Sequence, residues 1–354
     1  MMKLHIAYLA CATAITGVGL GAAPPAAADH QMTHVVFPGE SIQAAVDAAD
    51  PGDTVLLTPG TYRQSVKVTT PDLTLRGMGR STVLKPATTK ATESCGENGN
   101  GICVVGKKDK NIKGVTVASL TVTGFAKSGV FSVGTDGLTV QNVTAVKNGV
   151  WGIAQERSVR SVFRKNTARD NGDAGLLLAN SIKTDEGAAD TEGTVVERNL
   201  LEGNRIGLTV RRLRNLTVAH NQAVGNCAGI FVVGDENKPK AGALTVRDNR
   251  VTRNNKSCPK TARLEALQGS GIVLTGAEDT LVTRNRVTDN AGPSSLSGGI
   301  VLFKSFVGAT SERNRITDNV LKDNAPADLI NTDTGEGNTF QDNSCRASKP
   351  AGLC

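Results

Sequence analysis

A recurring pair of asparagines, five residues apart, is the feature that most constrains how this 354-residue chain can fold. The closest copies are about 22 residues apart, while others are separated by longer insertions, and a repeat of this length predicts a solenoid. The last copies come near the end of the chain, at Asn338 and Asn343. The earlier pairs, the first of which has Val in place of one Asn, are Val143/Asn148, Asn166/Asn171, Asn199/Asn204, Asn221/Asn226, Asn249/Asn254, Asn285/Asn290 and Asn314/Asn319.

Each copy contains two short segments of alternating apolar and polar residues, and a segment of the form Gly-apolar-x-apolar follows in most copies. Segments this short cannot bury a face alone, so successive copies must stack and share one interior. Three strands in about 22 residues predict an all-β parallel β-helix of about ten coils, spaced about 4.8 Å apart. The predicted inward columns are Val140, Phe163, Val196, Val218, Val246 and Val282; Ala145, Ala168, Leu201, Ala223, Val251, Val287 and Ile316; and Leu176/Leu178, Leu208/Val210, Ile230/Val232, Ile272/Leu274 and Ile300/Leu302.

The asparagines are predicted at the corners of the coils. Asn tolerates left-handed backbone dihedrals, and its amide can hydrogen-bond to the Asn of the next coil. We therefore interpret the pairs as structural ladders, with ligand binding as the alternative. The aromatic content of only 3% is typical of a narrow interior that small side chains fill.

The first residues predict export. Residues 1–28 have Lys3 near the start, an apolar stretch and Ala26-Ala27-Ala28 before Asp29, which together indicate a secretory signal peptide and a secreted, extracellular protein. Its removal would leave six cysteines and lower the net charge of +7 by one. An even number of cysteines in an exported chain predicts disulfides, and the spacing and the repeat favour the pairs Cys95–Cys103, Cys227–Cys258 and Cys345–Cys354.

Two classes of partner are not expected. No later segment is long and apolar enough for membrane insertion. The positive charges alternate with acidic residues and lack aromatic stacking platforms, which argues against a nucleic-acid partner.

The N-terminal segment is predicted to cap the stack. Residues 29–52 would form this cap, with Ser41 before a helix that has Ile42, Ala45, Val46 and Ala49 on one apolar face. Residues 53–345 would form the β-helix and 346–354 a C-terminal tail.

The same region carries a family resemblance. SIQAAVDAADPGDTVLLTPGTYRQSVKV (41–68) followed by LTLRGMG (73–79) resembles the opening of pectin-lyase-like right-handed β-helix proteins. The later copies resemble the right-handed β-helix repeats of that superfamily, including NosD-like proteins. The resemblance implies right-handed coils and an acidic polysaccharide as partner, although this fold hosts many activities.

A charged edge is the candidate active site. The residues before the first Asn of each pair include His220 and Asp248, which would form an oriented base, and Arg198 and Arg284, which would bind carboxylates. Eliminative cleavage of a uronate needs such a base and such cations. The alternative is a ladder of alternating charges at a solvated corner. The predicted substrate-binding residues at this edge are Lys165, Arg250, Arg286, Arg313 and Arg315.

Two other features bear on ligands. The insert 183–193 carries Asp185, Glu186, Asp190 and Glu192, whose oxygens suit Ca²⁺, with a solvated acidic loop as the alternative. The third strand has an apolar outward column, which we expect a loop, a tail or a partner to cover, so it argues against an active site there. That column is Phe131, Ala154, Leu177, Thr209, Phe231, Val273 and Val301, with Phe303 beside the last.

The predicted function is recognition of an acidic extracellular polysaccharide, with cleavage by β-elimination as its catalytic form. The alternative is a non-catalytic secreted or cell-surface binding module. Glycoside hydrolase and epimerase are weaker interpretations. Asn331-Thr332-Asp333 matches one polygalacturonase element, but the elements that should follow it are missing, and the Asp-Pro-His-Asp motif of alginate-type epimerases is absent. The sequence leaves the oligomeric state open.

Overall fold

The computed structural model describes residues 31–88, 94–107, 109–182, 184, 186–262 and 264–354. The predicted signal peptide and Asp185 of the acidic insert lie outside the described residues. Within the described ranges, two short helices, Ile42–Ala48 and Ser94–Glu97, accompany three long parallel sheets.

The strands of each sheet follow one another along the stack. Sheet 1 contains Thr33–Val36, Thr54–Leu57, Thr74–Gly77, Thr116–Ala118, Thr139–Gln141, Val162–Arg164, Ala189–Glu197, Leu213–Ala219, Thr245–Arg247, Leu281–Thr283, Arg315–Thr317 and Thr339–Gln341, with Ala241–Gly242 and Ala277–Glu278 beside this path. Sheet 2 contains Gly60–Arg63, Thr82–Lys85, Thr121–Thr123, Thr144–Val146, Thr167–Arg169, Leu200–Glu202, Gln222–Val224, Arg250–Thr252, Arg286–Thr288 and Val320–Lys322. Sheet 3 contains Val66–Val68, Ile102–Val105, Ser128–Val133, Trp151–Glu156, Ala174–Ala179, Ile206–Arg211, Ala228–Val233, Ser270–Thr275, Gly298–Leu302, Leu329–Asn331 and Ser348–Lys349. A two-stranded sheet joins Ile112–Lys113 and Thr135–Asp136.

The chain passes through sheets 1, 2 and 3 in turn in each coil, and ten coils are complete within the described residues. Both ends of the stack extend past the predicted limits of the β-helix. At the start, Thr33–Val36 already pairs with Thr54–Leu57. At the end, Ser348–Lys349 pairs with Leu329–Asn331.

The inward columns are confirmed except at one position. Val282 pairs with Ile316 in sheet 1, and Val287 pairs with Leu321 in sheet 2, so Ile316 belongs to the first column and not the second. The cause is a run of three asparagines five residues apart, Asn314, Asn319 and Asn324. Asn319 accepts from Asn285 and Asn324 from Asn290, so the second and third of the run continue the ladders.

The asparagine ladders are confirmed, with a different backbone geometry from the one expected. Asn204, for example, is buried, accepts from the Asn171 backbone N–H and Nδ2, and donates Nδ2 to the Ala168 carbonyl and to Asn226 Oδ1. In the ladder formed by the first Asn of each pair, the residue with left-handed backbone dihedrals is not the Asn but the residue before it, as in Arg198 with φ 54°. Because that residue makes the turn, its own side chain points to solvent while the Asn points inward.

The glycine that opens many sheet 3 strands is required by the close approach of successive coils. A Cβ on Gly175 would lie 2.8 Å from the Gly207 carbonyl oxygen, and one on Gly207 would lie 2.5 Å from that of Gly229. Any side chain here would therefore push two coils apart.

The capping helix and the disulfides match their predictions. Ser41 accepts a hydrogen bond from the Ala44 backbone N–H, and Ile42 and Val46 are buried against the first coils. The three disulfides are Cys95–Cys103, Cys227–Cys258 and Cys345–Cys354, with Cα–Cα distances of 5.8, 6.0 and 5.4 Å.

The apolar outward column of sheet 3 is covered by the chain itself. Phe231 is 4% exposed, Phe303 8% exposed, and Val273 and Val301 fully buried. Leu267 and Leu296, from the connections 253–269 and 289–297 between sheets 2 and 3, belong to the same apolar cluster. Of the three aromatic residues predicted on this outer face, only Phe131 is half-buried.

Candidate functional site

The predicted charged edge lies at the corner between sheets 1 and 2. Lys165, Arg198, His220, Asp248 and Arg284 occupy equivalent positions on consecutive coils, with φ between 53° and 56°. The next position in this column is Asp318, because Asn319 follows Asn285 in the ladder and Asp318 directly precedes it.

Two of the predicted substrate-binding residues, Arg313 and Arg315, do not lie at this edge. Arg313 lies at the corner before sheet 1 and pairs with Asp279, Glu278 and Glu312 at 2.8 to 3.1 Å. Arg315 lies on sheet 1, opposite Leu281. Their predicted position at the charged edge was wrong, because Asn319 and not Asn314 follows Asn285 in the ladder, which also misplaced Ile316.

Asp248 is held by two arginines. Arg284 donates Nε to Oδ1 at 2.9 Å and Nη2 to Oδ2 at 3.1 Å, and Arg247 donates Nη1 to Oδ2 at 2.8 Å. These bonds, that of Arg284 foremost, lower the pKa of Asp248 to about 2, against the opposing effect of burial. Arg247 was not predicted, although its position next to Asp248 in the sequence was a usable signal.

His220 lies beside this group and contacts it through Arg247 more closely than through Asp248. Its Nε2 is 4.0 Å from Asp248 Oδ2 and 3.4 Å from Arg247 Nη1, and its side chain is 43% exposed. Arg198, one coil earlier, is at 3.7 Å from its neighbour Glu197. The edge therefore brings together His220, Asp248 and Arg284 and leaves Arg198 and Lys165 pointing to solvent.

The outward side of sheet 2, which we call the open face, adjoins this edge. Arg250 and Arg286 are direct partners on neighbouring strands of it, and both are exposed. Within the described residues, neither guanidinium makes an ion pair or a hydrogen bond. Like charges directly opposite on neighbouring strands repel, so this pair is uncompensated by the protein.

The described acidic residues of the insert, Glu186, Asp190 and Glu192, do not converge on a point. Asp190 Oδ1 accepts from the Glu192 N–H and Asn215 Nδ2, Glu192 pairs with Arg160, and Glu186 accepts from the Thr184 hydroxyl. In the part of the chain that the structure describes, no group of three or more His, Cys, Asp or Glu residues could hold a metal ion. None of the described helices is long and apolar enough to cross a bilayer.

The coil geometry defines the chain as a right-handed parallel β-helix protein, and comparisons with known families agree. Residues 87–243 match the family described as right handed beta helix region. Residues 180–349 match the family described as periplasmic copper-binding protein (NosD). No curated protein matches the chain.

Solved structures with the same fold include an epimerase module and a DFA-IIIase. The A-module of Azotobacter vinelandii mannuronan C-5 epimerase AlgE4 is 18% identical, with a TM-score of 0.59, and the match covers 89% of this chain and 95% of that module. DFA-IIIase from Arthrobacter chlorophenolicus is 15% identical, with a TM-score of 0.60, covering 87% of this chain and 80% of the enzyme. These likenesses establish the fold.

The described residues do not fit the copper named in the NosD description. Copper prefers thiolate, thioether and imidazole ligands. All six cysteines of residues 31–354 are in disulfides, and the two described histidines contact Asp53 and Asp248, at different places in the stack. The two described methionines, Met32 and Met78, are exposed, and no described cluster of three His, Cys, Asp or Glu residues accompanies them.

Proposed function

We propose that the protein binds an acidic polysaccharide along the open face of sheet 2. The observation that carries this proposal is the exposed pair Arg250 and Arg286, which face each other across neighbouring strands without a carboxylate partner in the described residues. An anionic ligand would remove their repulsion. The planar guanidinium fork matches a carboxylate bidentately, so uronates are suitable ligands.

Neighbouring residues extend this cationic surface. Arg198 and Lys165 project from the adjacent corner, two and three coils before Asp248 respectively, and both are exposed. Surface ion pairs contribute about 0.2–1 kcal/mol each and weaken with salt. A useful affinity therefore requires a polymer that touches several cations at once. The likeness to a mannuronan epimerase module is consistent with a carbohydrate ligand.

Binding can be measured by titration calorimetry with polygalacturonate, alginate and a glycosaminoglycan, with dextran as the neutral polymer. We expect the acidic polymers to bind in low salt and to be released as salt rises, and dextran not to bind. The variant R250A/R286A should bind the acidic polymers about tenfold more weakly, because it loses two guanidinium contacts to them. The variant R76A/K113A removes two exposed cations outside sheet 2 and should bind as the wild type does. Equal affinity of the two variants would refute the proposal.

Eliminative cleavage is the second candidate function, and His220 is the residue that favours it. It is an exposed potential base in the same row as Arg198 and Arg284, cations that can neutralise a uronate. Asp248 is engaged by two arginines, so it would position those cations more than the imidazole. Cleavage would appear as ultraviolet absorbance of an unsaturated uronate, with and without Ca²⁺, and H220A should abolish it. Binding of the polysaccharide without any cleavage products would favour the alternative, a non-catalytic binding module.

We further infer that the protein works in an oxidising compartment outside the cytoplasm. Three disulfides in one chain are typical of such compartments. The match to a family described as periplasmic supports the same inference. Secretion by residues 1–28 remains a prediction, which N-terminal sequencing of the exported protein would test.

A further inference from the structure

We infer a second anion-binding subsite at the N-terminal end of the open face, formed by Arg63 and Lys85; the inference rests on the proposed function. These residues are direct partners on neighbouring strands of sheet 2, as Arg250 and Arg286 are near its other end. Arg63 is exposed and Lys85 half-buried, and neither makes an ion pair within the described residues. The same unfavourable arrangement of like charges thus occurs twice on one face.

The surface around this pair is concave and polar. Arg63 and Lys85 line a hollow of ≈ 460 Å³ together with Gly39, Thr61 and Gln64. Gln64 is fixed there, because its Oε1 accepts from the Ile42 N–H and its Nε2 donates to the Glu40 carbonyl. A carboxylate in this hollow would meet two cations and the Thr61 hydroxyl.

A second hollow lies between the two like-charge pairs. It measures ≈ 210 Å³ and is lined by Arg80 and Lys165, both exposed, and by Gly79, Ser119, Asn142, Thr144 and Thr167. Its cations also lack ion pairs within the described residues. Three groups of cations thus follow one another along the stack, two on the open face and one at its corner with sheet 1. The outward residues on the strands between them include Thr144, Thr167, Leu200, Glu202 and Gln222.

The spacing of the coils sets the size of ligand that could use the whole face. Lys85 and Arg250 lie on strands of sheet 2 that are six steps apart. At about 4.8 Å a step, this separation is about 29 Å. The structure therefore assigns the face to a long anionic oligosaccharide lying along the stack, and a disaccharide could occupy only one subsite at a time.

The experiment compares ligand lengths and variants by titration calorimetry, using digalacturonate and a polygalacturonate fragment of about ten residues. We expect the wild type to bind the fragment one to one and the disaccharide more weakly at more than one site. The variant R63A/K85A should weaken fragment binding about three- to tenfold and remove one disaccharide site. The control R76A/K113A should change neither, and thermal unfolding would verify that each variant is folded.

The outcomes separate the two proposals. If R63A/K85A binds the fragment as the control does while R250A/R286A is impaired, the second subsite is refuted and the proposed function stands. If the wild type binds neither ligand nor the other acidic polymers, both are refuted. Equal affinity and stoichiometry for the disaccharide and the fragment would overturn the inferred span.

Discussion

The outward faces of sheets 2 and 3 belong to the same coils and differ in almost every respect. Sheet 3 presents an apolar column that long connections cover, so Phe231 and Val273 are as buried as the interior. Sheet 2 presents Thr144, Thr167, Arg250 and Arg286 to solvent. One face thus adds a second apolar core to the solenoid, and the other leaves charges uncompensated. The difference indicates that an anionic ligand would be stabilised on the open face, because it would compensate those charges.

The largest expected effect is on the covered face. Phe231→Ala should lower the free energy of unfolding by about 3–5 kcal/mol, because it removes a buried ring and leaves a cavity. Chemical denaturation measures this loss. Phe306→Ala is the matched control, since Phe306 is 62% exposed and should cost about 0.5 kcal/mol. Equal losses would mean that the connections do not cover sheet 3 in solution.

The disulfide under the cover should have the next largest effect. Cys227→Ser with Cys258→Ser removes a cross-link between residues 31 apart in sequence and should cost about 2–4 kcal/mol. Limited proteolysis should then cleave the connection 253–269 faster than in the wild type. Cys95→Ser with Cys103→Ser, which opens a separation of only 8 residues, should cost less. Unchanged proteolysis would show that Arg205, which donates to the Pro259 and Glu265 carbonyls, is enough to hold the cover.

The charged edge between the faces gives a smaller, pH-dependent effect. Arg284→Ala should raise the pKa of Asp248 from about 2 toward its ordinary value of 3.8. Because the folded-state pKa is lowered, the stabilisation is present above 3.8 and is lost as pH falls through about 2. This contribution should be small, since the guanidinium is solvated. NMR titration of the Asp248 carboxyl group measures this pKa. The control Arg198→Ala should leave the pKa unchanged. An unaltered pKa in R284A would contradict the role of Arg284 in holding Asp248.

The smallest effect on stability is expected on the open face. Arg250→Ala should leave the free energy of unfolding unchanged or raise it by a few tenths of a kcal/mol at low salt, because it relieves repulsion from Arg286. Thermal unfolding at low and high salt measures this, and the gain should disappear at high salt. A loss above about 1 kcal/mol would mean that Arg250 has a partner inside the protein.

Much of the fold could be predicted because stacking repeats the same local requirement in every coil. The asparagine ladders, the inward columns and the disulfides follow from spacing alone. The prediction failed where spacing was degenerate: Asn314, Asn319 and Asn324 are equally spaced, so the sequence allows two registers. That ambiguity misplaced Arg313 and Arg315. The charged edge at His220 and Asp248 was predicted, whereas the pair Arg63 and Lys85, which we propose as a subsite, lies before the repeat becomes regular and had no periodic signal.

By itself, the sequence determined that the chain forms a parallel β-helix, because a period of about 22 residues with buried amides can be satisfied only by stacking. Only the tertiary structure decided which outer face is free. The course of a long connection depends on which apolar surface its apolar residues can pack against, and Leu267 and Leu296 pack in the apolar cluster on the outward side of sheet 3. The same packing leaves sheet 2 uncovered, and it is the alignment of coils that puts Arg250 opposite Arg286.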